Sequence, residues 1–272
     1  MIDSDNHLVL SLLGGFSLRI AGQYVALPMH SRRVLAWLSL DKTIGQWCDR
    51  GVLAERLWPD ATTERSRASL RTALWRIRRA SSHLVLVEVD HVVLSSDIQV
   101  DLHHFRSVAS KMIAGNEDLT GEITSLVANK VELLPGWDET WLLLAREQLR
   151  QMRLHALEGN ARRLQKQACF PEAIDAMLAV VAEEPLRESS QTTLIQTHLR
   201  SGNRGEARRQ FDLFTDLLWS ELRLRPAPDL YRLVGVPVPV APARVVRPAG
   251  VQPARSRSSN DWHDGRRVTQ GS

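Results

Sequence analysis

Short apolar runs alternate with glycine-containing turns over the first thirty residues of the chain. This alternation predicts a small antiparallel sheet, whose three strands cover residues 8–13, 16–20 and 24–27. Apolar residues then recur at helical spacing and predict two helices, from Ser31 to Asp41 and from Asp49 to Trp58. We expect Ser31 and Asp49 to cap these helices, and Pro59 to end the second. The predicted inner face of the second helix consists of Val52, Leu53, Arg56 and Leu57, together with Trp58.

A third helix is predicted from Thr62 to Ala80, in the sequence TTERSRASLRTALWRIRRA. Its apolar stripe consists of Leu70, Ala73, Leu74 and Ile77. The other faces carry six arginines, while one acidic residue, Glu64, lies in the first turn, where the helix dipole favours negative charge. The stretch from 84 to 95 follows and predicts two strands joined by a tight turn at Asp90-His91.

The second half of the chain, from Asp101 to Val234, has a helical pattern with breaks at residues 133–137 and 201–203. It contains an internal repeat, because Glu172-Ala173 recurs as Glu206-Ala207 at an offset of 34 residues. Apolar positions match at this offset, namely Ala173, Met177 and Val180 with Ala207, Phe211 and Phe214. The period is typical of tetratricopeptide repeats. The predicted fold class is therefore mainly α with a small β component.

The formal net charge of the chain is only +4, and its distribution is more informative than its sum. Residues 236–272 contain six arginines and two aspartates, so this tail alone carries +4 and residues 1–235 are balanced. Local basic clusters on a balanced chain indicate a specific site rather than a generally basic surface. The tail is rich in Pro, Arg, Ser, Gly and Val without helical or strand periodicity, and we expect it to be disordered.

Several kinds of catalytic site are missing from the sequence. It contains no GxxxxGK[ST] loop for nucleotide phosphates, and no HExxH, GxSxG or GxGxxG pattern in a strand–helix setting. Cys48 and Cys169 lie outside metal-ligand spacing, and we expect two free, buried thiols. The adjacent His103 and His104 face different sides of any regular element, so they do not form a metal pair. We therefore expect no enzyme activity, no metal and no cofactor.

The N-terminal sequence MIDSDNHLVL is acidic where a secretory signal peptide is basic, and no apolar run reaches the ~18 residues that span a bilayer. A reducing compartment also agrees with two unpaired cysteines. We therefore expect a cytoplasmic protein without a membrane partner.

The predicted elements follow the order of three strands, three helices and a hairpin. This is the order of a winged helix with an N-terminal sheet, in which the third helix enters the DNA major groove and the hairpin forms the wing. An arginine-rich helix face is by itself most often only solvated. Its place as the third helix of this arrangement favours DNA binding, because arginines can contact phosphates and base edges in a groove.

Several segments resemble the Streptomyces antibiotic regulatory protein (SARP) family. They are SRRVLAWL at 31–38, LAERLWPD at 53–60, ASLRTALWRIRR at 68–79, VDLHHF at 100–105 and SELRLRPAPDLY at 220–231. The resemblance implies an OmpR-type winged-helix DNA-binding domain over 1–99. It also implies a bacterial transcriptional activator domain with tetratricopeptide-like repeats over 100–235, followed by the tail over 236–272.

Carried over by position, the resemblance assigns the reading of bases to Thr72 and Arg76. An arginine fork can donate to O6 and N7 of guanine together, which is worth about 1–3 kcal/mol of discrimination. The remaining contacts are placed against phosphates or groove walls and involve Arg67, Ser69, Arg71, Trp75 and Arg78. For Trp75, packing against the wing or a neighbouring protomer is an equally good interpretation.

The predicted wing departs from the family pattern. Related wings end in a Gly-Tyr-Arg-like stretch, whereas this chain has HVVL at 91–94, with Glu88 and Asp90 adding negative charge. Carboxylates repel phosphates at short range, so we expect little DNA contact from this wing. The third helix, Arg32 and Arg33, or a second subunit would then supply more of the affinity.

The sequence therefore predicts a transcriptional regulator that binds repeats in double-stranded promoter DNA. The resemblance implies an activator that contacts RNA polymerase and binds DNA as a homodimer. The alternative is a tetratricopeptide-like adaptor whose winged helix has lost specific DNA binding and which acts only through proteins.

Overall fold

The N-terminal part of the chain places three helices between two small sheets. A computed structural model describes residues 7–40, 46–116, 127 and 129–239. The predicted strands, helices and hairpin are all present in the predicted order. In chain order, the N-terminal elements are β1 (Leu8–Ser11), β2 (Ser17–Ile20), β3 (Gln23–Tyr24), α1 (Met29–Leu40), β4 (Cys48–Asp49), α2 (Arg50–Leu57), α3 (Thr63–Ala80), β5 (Val85–Val87), β6 (His91–Leu94) and β7 (Ile98–Val100).

The first sheet contains a fourth strand beyond the three that were predicted. Its order is β3-β2-β1-β7, and β7 pairs in parallel with β1. Asp101 directly follows β7, and its carboxylate accepts hydrogen bonds from the backbone N–H of Leu12 (2.9 Å) and of Leu13 (3.1 Å). Burial raises the pKa of Asp101, and these hydrogen bonds oppose the rise. The carboxylate thus joins the end of β1 to the start of the helical part.

The second sheet is the wing, and it has three strands rather than two. β6 pairs with both β5 and β4, so a strand that precedes α2 extends the predicted hairpin. The backbone N–H of Glu88 donates to the carbonyl of His91 at 2.9 Å. The turn therefore lies at 88–90, and the predicted turn at Asp90-His91 was placed too late.

The predicted helix caps have different outcomes. Asp49 is confirmed as the cap of α2, because its side chain accepts a hydrogen bond from the backbone N–H of Val52. Ser31 is not a cap, since α1 begins at Met29 and Ser31 is buried within the helix. Its hydroxyl donates to the carbonyl of Ala73 in α3 at 3.2 Å. A small polar side chain at this position therefore lets α1 and α3 approach each other.

The predicted inner face of α2 is only partly correct. Leu53 and Leu57 are buried, but their buried neighbour is Ala54, and both Val52 and Arg56 are exposed. A helix of eight residues offers few positions from which to judge which face is buried.

The helical part begins directly after β7, and each helix packs against the next along the chain. All six matched apolar positions of the predicted repeat are buried, and the break at 201–203 separates two of the helices. The fold class, mainly α with a small β component, is confirmed. The helices of this part within the described residues are α4 (Asp101–Ile113), α5 (Thr140–Lys166), α6 (Phe170–Glu183), α7 (Glu188–Arg200), α8 (Arg204–Leu222) and α9 (Pro228–Val234).

Aromatic and ionic contacts join α1 to the start of α5. The rings of Trp37 and Trp141 meet edge to face with their centroids 5.3 Å apart. Arg33 forms an ion pair with Glu139, and Trp141 Nε1 donates to the same carboxylate at 3.2 Å. The helix that supports α3 is therefore also attached to the helical part.

Glu158 is a buried acid in α5 with three hydrogen-bond donors around one oxygen. Its Oε1 accepts from Arg187 Nε (2.8 Å), Ser189 Oγ (2.8 Å) and Ser190 Oγ (2.6 Å). Burial alone would raise the pKa of Glu158, but these hydrogen bonds and the charge of Arg187 hold it below its usual value. The ionised carboxylate thereby connects α5 to the start of α7.

The free energy of unfolding should fall in acid partly through Glu158. Because its folded pKa lies below the unfolded value of 4.5, its contribution is complete above that pH and is lost as the pH falls through the folded pKa. Glu158→Gln should destabilise the protein at neutral pH, because an amide cannot form the charge-assisted hydrogen bonds. The free energy of unfolding of the variant should also depend less on pH in this range. Unfolding measured between about pH 3 and pH 7 checks this. An unchanged profile in the variant would contradict it.

Several other predictions can be compared with the described residues. No disulfide joins Cys48 and Cys169, as predicted, but both are half-buried rather than buried. His103 is half-buried and His104 is exposed, which confirms that they face different sides. No described helix is both long enough and apolar enough to cross a bilayer. The division at residue 100 stays a prediction, and the tail from residue 240 onward lies outside the described residues.

Candidate nucleic-acid interface

Helix α3 buries one stripe and exposes the rest of its surface. The stripe packs against α1 and α2, and this burial fixes the rotation of the helix about its axis. The arginine-rich faces consequently point away from the protein. The buried residues are Ser66, Leu70, Ala73, Leu74 and Ile77.

The structure places the predicted DNA-contact residues together on this outer surface. Ser69 is partly exposed, and the other six are exposed. None of the six arginines in α3 forms an ion pair with a carboxylate in the described part of the chain. Their charges are therefore available to an external partner. The six exposed residues are Arg67, Arg71, Thr72, Trp75, Arg76 and Arg78.

Thr72 and Arg76 lie one helical turn apart and line a shallow pocket of ≈ 320 Å³. Thr72 Oγ1 donates to the carbonyl of Ala68 at 3.0 Å, so its methyl group and an oxygen lone pair remain for a ligand. Arg76 forms no hydrogen bond or ion pair with the described residues, and its whole donor fork is available. The pair can thus present an acceptor and a fork of donors side by side.

A second, strongly basic groove of ≈ 500 Å³ lies between α3 and the wing. Arginines from α3 and Val87 of β5 line it, and no carboxylate does. Trp75 borders the groove with 59% of its surface exposed, and the Arg79 guanidinium lies 5.3 Å from the centre of its ring. This arrangement favours the binding of an anion along the side of α3 that faces the wing.

Arg50 is a candidate residue that the sequence reasoning missed. It is the first residue of α2, yet its backbone N–H donates to the carbonyl of Asp90 (2.8 Å) and its guanidinium donates to the carbonyl of Val89 (2.9 Å). Arg50 also lines the basic groove. A cation from α2 thus lies at the tip of a wing whose own sequence contributes Glu88 and Asp90.

Asp49 holds this part of the site in place. The hydrogen bond from Val52, together with the charges of His91 and Arg67, outweighs burial and lowers the pKa of Asp49. The ionised side chain caps α2 at the residue that precedes Arg50. The strand and the cap together position the Arg50 side chain against the wing.

Arg32 and Arg33 are committed to the fold. Arg32 Nε donates to the carbonyl of Leu27 at 2.6 Å, and its guanidinium lies 5.6 Å from the centre of the Phe16 ring. Arg33 is paired with Glu139. Their positions therefore do not support the expectation that these two arginines add DNA affinity.

Comparison with known proteins shows that the chain is similar to bacterial regulators. A family model described as a bacterial transcriptional activator domain matches residues 125–235. The regulatory protein AfsR of Streptomyces coelicolor is 29% identical over 213 residues, which are 74% of this chain and 21% of that protein. The chain thus spans about a fifth of the length of this relative.

A solved structure of Mycobacterium tuberculosis EmbR in complex with a low-affinity phosphopeptide has the same fold. The match has a TM-score of 0.69 and covers 86% of this chain and 67% of the EmbR chain, at 19% sequence identity. These similarities agree with the resemblance to the SARP family.

These similarities leave the DNA contacts to be argued from the site itself. The activator-domain match begins at residue 125, which lies after α3 and the wing. The likeness to EmbR, at 19% identity, shows a shared fold alone.

Among the described residues, no group of three or more metal-ligating side chains could hold a metal ion.

Proposed function

We propose that this chain is a SARP-family transcriptional regulator that binds double-stranded promoter DNA specifically, with α3 in the major groove. The observation that supports this most strongly is the set of unpaired arginines on α3. Acids three or four residues from arginines on the same helix would pair with them and stabilise it. On α3 the single acid is Glu64, in the first turn, and the remaining length carries arginines without an acid on the same helix.

Within this surface we assign the reading of bases to Thr72 and Arg76. Arg76 can donate to O6 and N7 of guanine, and Thr72 can accept from an amino group of a base or contact a thymine methyl group. The contacts with phosphates and groove walls are assigned to Arg67, Ser69, Arg71, Trp75 and Arg78.

The position of Arg50 favours this proposal over the adaptor alternative. That alternative depends on a wing whose acids would repel phosphate, because the wing sequence has no arginine of its own. Arg50 supplies a cation at the wing tip, where it donates to the carbonyl of Val89. We therefore propose that Arg50 assists the DNA contact made along the wing side of α3.

The remaining parts of the function rest on the family. We propose an activator whose winged helix covers residues 1–99 and whose activator domain covers 100–235. In this proposal the helical domain supports homodimerisation on repeated sites and contacts RNA polymerase. Two linked subunits on adjacent sites would gain affinity through their effective concentration.

The assignment of Arg76 leads to the first test. Duplexes are selected from a random library with the full chain, and binding is then measured by gel shift. Arg76→Ala should weaken binding to the selected sequence by about 1–3 kcal/mol and should reduce discrimination at the base it reads. Arg208→Ala is the matched control, because Arg208 is an exposed arginine of α8 that is paired with Asp212. It removes the same charge and should change the affinity little.

Two outcomes would count against the proposal. If the unaltered chain selects no sequence from the library, specific DNA binding fails and the adaptor alternative gains support. If Arg76→Ala and Arg208→Ala reduce binding equally and without a change in base preference, the assignment of Arg76 as a base reader fails.

A further inference from the structure

His30 and Trp58 form a hydrogen-bonded aromatic pair beside the base-reading residues. Their rings are nearly parallel, with an angle of 17° and centroids 5.3 Å apart. Trp58 Nε1 donates to His30 Nδ1 at 2.8 Å. Since an indole nitrogen can only donate, Nδ1 is the acceptor and the proton of the neutral imidazole is on Nε2. Trp58 thus fixes both the orientation and the tautomer of His30.

The second nitrogen of this imidazole has no protein acceptor among the described residues. His30 is exposed and lines the same pocket as Ser69, Thr72 and Arg76. No carboxylate lines this pocket. Three kinds of donor are therefore gathered here, an imidazole N–H, a hydroxyl and a guanidinium, and this chemistry suits an anionic oxygen.

We infer that His30 is a phosphate-binding residue that donates from Nε2 to one backbone phosphate at the edge of the groove occupied by α3. This inference rests on the proposed function, because it requires α3 to lie on DNA. Trp58 is then a positioning residue, whose indole holds the imidazole in the donating tautomer. The exposed His30 is thereby part of the DNA-binding surface, although it lies on α1 and not on α3.

A neutral donor to phosphate differs measurably from a charged one. It displaces no counterion, so it contributes affinity without contributing to the salt dependence of binding. A phosphate contact also carries no direct sequence information, so the contribution should be the same on every duplex. An arginine that contacts phosphate would instead reduce the salt slope by about one unit when it is removed.

The test uses the full chain at about pH 8, where imidazoles are neutral. Binding to a library-selected duplex and to an unrelated duplex is followed by fluorescence anisotropy over a series of salt concentrations. His30→Ala should weaken both complexes by the same factor, roughly three- to tenfold, with an unchanged salt slope. His30→Gln retains an N–H donor and should retain more of the affinity. Circular dichroism verifies that both variants are folded.

Single methylphosphonate substitutions in the selected duplex locate the contact. One substitution should weaken the wild-type complex while leaving the His30→Ala complex unchanged, because that complex already lacks the bond. Trp58→Phe, which keeps an aromatic ring but removes the indole N–H, should weaken the wild-type protein and have no further effect in His30→Ala. If it weakens both proteins equally, Trp58 does not act through His30 and its positioning role is overturned.

The failure of this inference can be told apart from the failure of the proposed function. If wild-type protein binds its selected sequence specifically but His30→Ala binds both duplexes as tightly as wild type, the inference alone is overturned. The same holds if His30→Ala changes only the preference between duplexes, since His30 would then be reading a base. If the wild-type chain selects no sequence at all, the proposed function and this inference both fail.

Discussion

Replacement of Gly159 by alanine should destabilise the protein by about 1–3 kcal/mol, near the upper end of that range. Gly159 lies in the middle of α5, where it faces the last turn of α4. A Cβ atom at this position would overlap the carbonyl oxygen of Met112 and would lie 3.0 Å from the Cα of Ile113. These obstacles are backbone atoms, so no side-chain rotation relieves the overlap and the two helices must separate.

Gly205→Ala is the matched control for this substitution. Gly205 also lies within a helix, α8, but nothing lies within 4 Å of the Cβ that alanine would add. Because Gly205 is the second residue of α8, this change should stabilise the protein by at most about 0.5–1 kcal/mol, the gain that alanine gives in a helix interior. Chemical denaturation of both variants measures the two effects. If Gly159→Ala stabilised the protein as much as Gly205→Ala, then α4 and α5 would not be held at the described distance.

The second large effect is expected for Glu183→Ala, which should cost about 3–5 kcal/mol. Glu183 accepts a hydrogen bond from Arg153 at 2.6 Å, and the two side chains are only 10% and 8% exposed. Arg153 also donates to the carbonyl of Val127 at 3.0 Å. Loss of the carboxylate removes a buried partner of the Arg153 guanidinium, and breaking a buried pair in this way costs more than the net value of the pair.

Asp212→Ala serves as the comparison for this prediction. Asp212 pairs with Arg208 at 3.0 Å on the surface of α8, and both side chains are about half exposed. Its removal should change the free energy of unfolding by no more than about 0.5 kcal/mol. If Glu183→Ala costs as little as Asp212→Ala, then solvent reaches the Arg153–Glu183 pair and α5 and α6 are less closely packed than described.

The sequence located α3 well because independent signals agreed there. The apolar stripe from Leu70 to Ile77 predicted the buried face, and the six arginines then had to lie outside it. The repeat was equally easy to recognise in the sequence, since Ala173 and Ala207 occupy equivalent buried positions at a fixed offset. In both cases the information is local, and a single element is long enough to show its period.

Pairings between distant or very short segments could not be predicted in this way. β7 joins β1 from about ninety residues further along the chain, and β4 consists of Cys48 and Asp49 alone. Because β4 was missed, Arg50 was not connected with the wing. His30 was missed for a related reason. Its proposed role depends on Trp58, 28 residues away, and on which imidazole nitrogen the indole contacts.

The attachment of α1 on two sides bears on how a bound regulator would be oriented. Ser31 holds α1 to α3, while Arg33 and Trp37 hold it to the start of α5. With α3 seated in a groove as proposed, the helical domain would project from the duplex in one fixed direction. The helical phase of the binding site would then decide which face of the DNA presents that domain. The position of the binding site along the promoter would thus determine the angle around the DNA axis at which the helical domain lies.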